Sequence, residues 1–357
     1  MQGSADATAR GGGHAWRAVR PRVGEEPELA RVRLRDVAEK VGVSTKSVSN
    51  VVNGTGWVSD AVRDRILAAI DELGYRPNLA ARQLRGGSSG LLGLCLPNLA
   101  EPYFAEFAAE FVDAARARGL TVLVTQTRGK LPVERAMLES EDLPALDGLV
   151  FSPLKLTPDD MAARRSSVPL LLIGEHGEHL ASETVAHIGP DNEAAAHAAT
   201  RHLIAQGRRR IAAIGVEFDE DMTGQVRYRG YQRALAEAGI EVDPALLVQA
   251  DRFTRADGSL AVERLLESDI EFDGLFCFND SLALGALYTL GTRGLAVPHD
   301  VGLVGYDNIE EGRYLNPAFA TVDPGVTGSC ELILDLLAGP TEKIGGHIEV
   351  PFTLVER

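Results

Sequence analysis

Few residues in this chain have the types and spacing to do chemistry. Gly86-Gly87-Ser88-Ser89-Gly90 fits the G-x-S-x-G nucleophile pattern. That pattern works only where a strand turns sharply into a helix and presents the serine. Here a short helical stretch precedes it and the apolar run 91–96 follows, so the order is reversed and the segment reads as a linker. His176 and His179 are a weak metal pair in an expected loop, and none of the eight histidines sits in H-E-x-x-H. Asn53-Gly54-Thr55 is a glycosylation sequon, which has meaning only in a secreted chain. Cys95, Cys277 and Cys330 are far apart, form no C-x-x-C and read as buried thiols in a reducing compartment. These residues predict no catalytic constellation, no metal site and no cofactor, so no enzyme.

The chemistry that remains is recognition by hydrogen bonding. Residues 34–41 place Leu34, Val37, Ala38 and Val41 at helical spacing, and Gly42 ends that helix. Ser44 can cap a second helix with Val48, Val51 and Val52 on its inner side. Two short helices joined by a Gly-containing turn make a helix-turn-helix. The outer side of the second helix carries Thr45, Lys46, Ser49, Asn50 and Asn53. Lysine can donate to guanine O6 and N7, and asparagine can pair with adenine N6 and N7. Ser44 and Asn53 suit phosphate contacts.

Composition first argues the other way. The chain has 357 residues, 45% hydrophobic and 24% charged, with a net charge of −15. That length suits two or three domains, and no apolar run is long enough for a membrane span. Net acidity argues against a nucleic-acid partner, but the charge is unevenly placed. Residues 31–87 net +4 and residues 88–357 net −19. A small basic segment ahead of a large acidic one fits DNA contact confined to the first.

The elements that must position these residues follow from periodicity. A third helix begins after Ser59, its expected cap, and ends at Gly74, with Val62, Ile66, Leu67, Ile70 and Leu73 as its buried stripe. Residues 78–85 have only Leu79 and Leu84 as large apolar side chains, too few to hold a helix without a partner. From Leu91 onward short apolar runs alternate with helical ones. Strands are expected at 91–96, 120–125, 147–152, 169–174, 184–189, 210–216, 245–250, 273–278 and 301–305. Helices are expected at 103–118, 192–206, 225–238, 256–268 and 280–293. Alternation of this kind implies parallel sheets covered by helices, and the length favours two such lobes with a ligand between them.

The motifs DVAEKVGVSTKSVSNVVNG, LGYRPNLAARQLR, NLAEPYFAEF, DNEAAAHAATRHLIAQGRRRIA, RYRGYQRAL, NDSLALGAL, VGYDN and VPFTLVER strongly resemble the LacI–GalR family of bacterial transcription regulators. The resemblance spans residues 32–356. It implies an all-α helix-turn-helix headpiece followed by an α/β core of two Rossmann-like subdomains, similar to type I periplasmic binding proteins. The expected organisation is a disordered lead-in over 1–31, a headpiece over 32–76, a hinge helix and linker over 77–90, and an effector-binding and dimerisation core over 91–357. Within that core the N-subdomain takes 91–207 and 322–338, and the C-subdomain takes 208–321 and 339–357.

Residue roles carry over by motif. DNA contacts are expected from Leu34, Ser44, Thr45, Lys46, Ser49, Asn50, Asn53 and Ser59, with Ala81 and Leu84 from the hinge. In this role Leu84 would wedge into the minor groove. The effector site is expected from Tyr103, Phe104, Asp191, Arg227, Phe253, Asn279 and Asp307. Arg33 departs from the usual Thr or Ser cap of the first helix. The resemblance implies a cytoplasmic, nucleoid-associated homodimer on a near-palindromic operator, with no membrane partner. On that resemblance it is expected to repress carbohydrate-utilisation genes and to be released by a sugar. A corepressor-dependent regulator sensing a purine-type metabolite is the alternative, and a sugar-binding protein without a DNA role is the remote one.

Overall fold

A computed structural model describes residues 32–53, 55–75, 88–141, 143–217, 223–250, 252–268, 270–339 and 345–357. The expected lead-in and the hinge positions Ala81 and Leu84 lie outside the described residues. The chain divides into two compact units between Ala81 and Arg82.

In the first unit, apolar residues at helical spacing fold α1 (Leu34–Val41), α2 (Thr45–Asn53) and α3 (Asp60–Leu73) around Val37, Ala38, Val41, Val48, Ile66 and Ala69. Gly42 and Gly74 end their helices in the left-handed conformation, at φ 70° and 64°. The Lys40–Glu72 ion pair at 2.5 Å ties α1 to α3. Two expectations fail here. Leu67 is 47% exposed, because Ile66, Ala69, Ile70 and Leu73 share the inner face and Leu67 lies off it. Ser59 occupies the cap position of α3, but its side chain makes no capping hydrogen bond. At α1 the Asp36 carboxylate accepts the Arg33 backbone N–H at 2.7 Å, so the cap is supplied from inside the helix.

The second unit holds two six-stranded sheets among the described residues. The first contains β1 (Leu91–Leu96), β2 (Thr121–Gln126), β3 (Gly148–Phe151), β4 (Leu170–Ile173), β5 (Ala186–Gly189) and β11 (Gly346–Glu349), in the order β11-β5-β4-β3-β1-β2. The second contains β6 (Ile211–Val216), β7 (Leu247–Gln249), β8 (Gly274–Cys277), β9 (Gly302–Tyr306), β10 (Ala320–Asp323) and β12 (Thr353–Val355), in the order β12-β10-β9-β8-β6-β7. All pairings are parallel except β10 with β12. The inner strands are short apolar runs because helices cover both faces. Those helices are α4 (Pro102–Ala117), α5 (Leu131–Leu138), α6 (Pro158–Ala163), α7 (Glu175–Glu178), α8 (Asn192–Ala205), α9 (Thr223–Glu237), α10 (Arg255–Glu267), α11 (Asp280–Thr292) and α12 (Val326–Ala338).

The expected subdomain boundaries at 207 and 338 are corrected. α8 buries Ala195, Ala196, Ala199 and Leu203 in the core of the second sheet, so the first crossing falls at 190–191. The second lies at 324–325, where β10 leads into α12, which packs against α4 of the first lobe. The third falls at 350–352, because β11 still belongs to the first sheet.

Candidate functional site

Two surfaces carry functional groups, one in each unit. In the headpiece, Ser44 Oγ accepts the Ser47 N–H at 3.1 Å and caps α2. Thr45 and Lys46 are exposed on its first turn, while Ser49 and Asn50 are half-buried. The Asn50 amide lies against Gly56, where an added Cβ would come within 2.6 Å of Nδ2. Gly56 has φ 69°, which a side chain tolerates poorly, so this turn needs glycine twice over. Leu34 packs against the headpiece core, and Ser59 is half-buried ahead of α3. Asn53 closes α2.

In the core, the crossings bring the carboxyl ends of the strands of both sheets together. Arg227, on α9 of the second lobe, is buried at the centre. Its Nη2 lies 2.6 Å from Glu175 Oε1 of the first lobe and 3.5 Å from Asn192 Oδ1. Its Nη1 donates to the Phe278 carbonyl. The guanidinium carbon stands 3.5 Å above the centre of the Tyr306 ring, a cation–π geometry. Tyr306 donates its hydroxyl to Asn192 Oδ1 at 2.6 Å. Burial opposes the Arg227 charge, but Glu175, Tyr306 and Asp307 hold its pKa above the ordinary arginine value. Its Nε is buried with no hydrogen-bond partner among the described residues.

Further contacts bridge the two lobes. Ser281 Oγ donates to Glu101 Oε1 at 2.6 Å, and the Glu310 N–H donates to Glu106 Oε1 at 2.9 Å. A cavity of about 370 Å³ opens beside them, lined by Pro102, Glu106, Arg255, Glu310 and Glu311 among others. Burial raises Glu101, and Arg255 pulls the other way. Asp307 is pushed well above the usual carboxylate range by burial and by Asp280, Glu101 and Glu175, with Arg227 opposing. Burial pushes the Tyr103 phenol well above its ordinary range, and the acidic groups Asp307 and Glu175 add to this.

The expected effector residues divide into two sets. Arg227 sits at the junction of the lobes over Tyr306, the chain neighbour of Asp307, while Tyr103 packs with the first-lobe core. Phe104 packs edge-on against Tyr103 at 5.2 Å and joins the packing of the first lobe. Asp191 and Asn279 act as helix caps, accepting from Ala194 N and Leu282 N at 2.8 Å each. Asn279 Nδ2 also donates to the Phe253 carbonyl at 3.1 Å and holds Phe253, whose φ is 55°. Asn192, Tyr306, Glu175, Glu101 and Ser281 escaped the sequence reading. Asn192 and Tyr306 sit directly beside flagged Asp191 and Asp307. Glu175 opens the short helix α7 in a Gly-Glu-His stretch with no pattern to mark it.

The bacterial regulatory protein lacI family matches residues 33–78, and a periplasmic binding protein-like domain matches residues 200–357. The chain belongs to the LacI family of DNA-binding transcriptional regulators. It is 32% identical over 332 residues to the HTH-type transcriptional repressor PurR of Erwinia tasmaniensis, covering 91% of this chain and 95% of that one. It superposes on a lac repressor dimer bound to operator and the anti-inducer ONPF with a TM-score of 0.78 at 25% identity, covering 91% and 98% of the two chains. A structure described as the transcriptional regulator CelR–cellobiose complex matches with a TM-score of 0.64 at 29% identity, again over 91% and 98%. These relatives are regulators rather than enzymes.

Proposed function

We propose that this chain is a homodimeric repressor whose headpiece, residues 32–76, binds a near-palindromic operator and whose core takes a purine-type corepressor. Two recognition helices related by a dyad would enter successive major grooves. Thr45, Lys46, Ser49 and Asn50 read bases there, and Ser44 and Asn53 meet phosphates. Residues 77–90 couple the core to the headpiece. A DNA-bound regulator of this class works in the cytoplasm. Consistent with that, no helix among the described residues is long and apolar enough to cross a membrane.

The observation that carries the effector site is Arg227, held between the lobes by Glu175, Asn192 and the Tyr306 ring with its buried Nε–H unpaired among the described residues. A purine offers ring and carbonyl acceptors to an arginine, N–H donors to carboxylates and two flat faces to Tyr103 or Phe253. The similarity to repressors named PurR supports the same ligand class. A sugar inducer is the second reading, supported by the cellobiose complex of a similar regulator. Thermal shift of the untagged protein with purine bases and with mono- and disaccharides separates them. Stabilisation by a purine and by no sugar is expected, and the reverse pattern installs the sugar reading.

A further inference from the structure

The pairing of β5 with β11 sets His187 directly opposite His347, 160 residues away in sequence. Their rings stack at 5.0 Å, and the two Nδ1 atoms lie 2.8 Å apart. His187 is fully buried and His347 is exposed. The Nε2 of His187 is 2.9 Å from the Gly174 carbonyl, an oxygen that can only accept. That contact places the His187 proton on Nε2 and leaves Nδ1 as a lone pair aimed at His347. Glu178, the last residue of α7, completes the group: one ligand atom from each of the three lies within 4.8 Å of the others.

We infer that Glu178, His187 and His347 form a site for a divalent transition-metal ion, Zn²⁺ foremost. Two imidazoles and one carboxylate are a common three-ligand set for zinc, with the fourth position left to water. A ligating histidine whose other ring N–H is held by a backbone carbonyl is the usual supporting arrangement, and Gly174 provides it. Gly177 and Gly189 leave room for the His187 ring: a Cβ at either would come within 3.3 Å or 2.9 Å of it. Zinc bonds of about 2.0–2.2 Å ask the ligand atoms to sit roughly 3.3 Å apart. Exposed His347 can open from 2.8 Å by turning its side chain, while buried His187 stays put. His176 and His179, the pair suggested by spacing, supply none of the three ligands, and His176 Nε2 contacts the Leu156 carbonyl instead.

The site also touches the machinery of the cleft. α7 carries Glu178 at one end and Glu175, the partner of Arg227, at the other. An ion bound at Glu178 therefore restrains the same helical turn that holds the lobes together.

The test uses the untagged full-length protein titrated with Co²⁺ as a spectroscopic probe and then with Zn²⁺. One equivalent of Co²⁺ per chain should give visible d–d absorption that Zn²⁺ displaces. His347→Ala and Glu178→Gln, both away from the core, should each weaken binding roughly tenfold or more. His299→Ala, on an exposed loop, should leave it unchanged. Absence of saturable Co²⁺ binding by the wild type, or equal binding by His347→Ala, overturns the proposal.

Discussion

Arg227 and Glu175 stand 2.6 Å apart, each on a different lobe and with side chains only 7% and 11% exposed, so one ion pair fastens the cleft. Removing one member of a buried pair strands the other in a poor solvent, at a cost of about 3–5 kcal/mol. Arg227→Ala should therefore lower the urea midpoint of the core and abolish the ligand-induced thermal shift. Arg227→Lys should rescue neither, because an ammonium cannot reproduce the contacts to Glu175, Asn192 and Phe278 together. A full thermal shift retained by Arg227→Ala would remove this residue from the binding site.

Asp280 predicts a pH effect with a definite sign. It accepts from Thr321 Oγ1 at 2.7 Å and from the Ile309 N–H at 3.0 Å, yet burial outweighs these bonds and raises its pKa from 3.8 to about 7. Between those values the folded protein keeps the proton while the unfolded chain has lost it. The contribution of Asp280 is thus present below about pH 4 and is lost as pH rises toward 7. Asp280→Asn should flatten the stability profile over that window, by an amount on the order of 1–4 kcal/mol. Urea melts at several pH values check this, and parallel profiles for the two proteins would contradict it.

Asp147 anchors the chain where it enters the core. Its carboxylate accepts from the Ser89 and Gly90 N–H groups at 2.7 Å each and from the Ser89 hydroxyl at 2.9 Å. Asp147→Ala leaves these donors unanswered, at about 1–3 kcal/mol for each that stays buried. Amide hydrogen exchange at Ser89 and Gly90 should accelerate, and ligand control of operator binding should weaken. Unchanged exchange at both amides would show that the anchor does not hold.

Lys46 tests the reading face of α2. As a base contact, Lys46→Ala should relax preference at one base pair by about 1–3 kcal/mol. Binding measured across operator variants and salt concentrations decides the matter. Uniform weakening on all sequences, with the salt slope reduced by about 1, would make Lys46 a phosphate contact instead.

Much of this architecture is legible in the sequence because strong local signals carry it. The apolar runs 91–96 and 211–216 read as strands because both faces are buried, and Gly42 and Gly74 mark helix ends by their left-handed conformation. β11 and β12 are less visible. Gly-His-Ile-Glu and Thr-Leu-Val are short edge strands whose pairing comes from distant partners rather than from their own pattern. The same non-locality hides Glu175, which becomes functional only because α9 delivers Arg227 to it across the cleft. Motifs located the site to within one residue at Asp191 and Asp307. Distinguishing a helix cap from a residue that touches Arg227 took the three-dimensional arrangement.

In the proposed function, ligand binding in the core controls operator binding by the headpiece. Fluorescence anisotropy of an operator selected from random duplexes, with and without a saturating purine identified by thermal shift, measures that coupling directly. Operator binding should be roughly 5–150-fold tighter with the purine present, and the purine should change nothing for Arg227→Ala. Equal operator affinity with and without a purine shown to be bound would contradict this coupling.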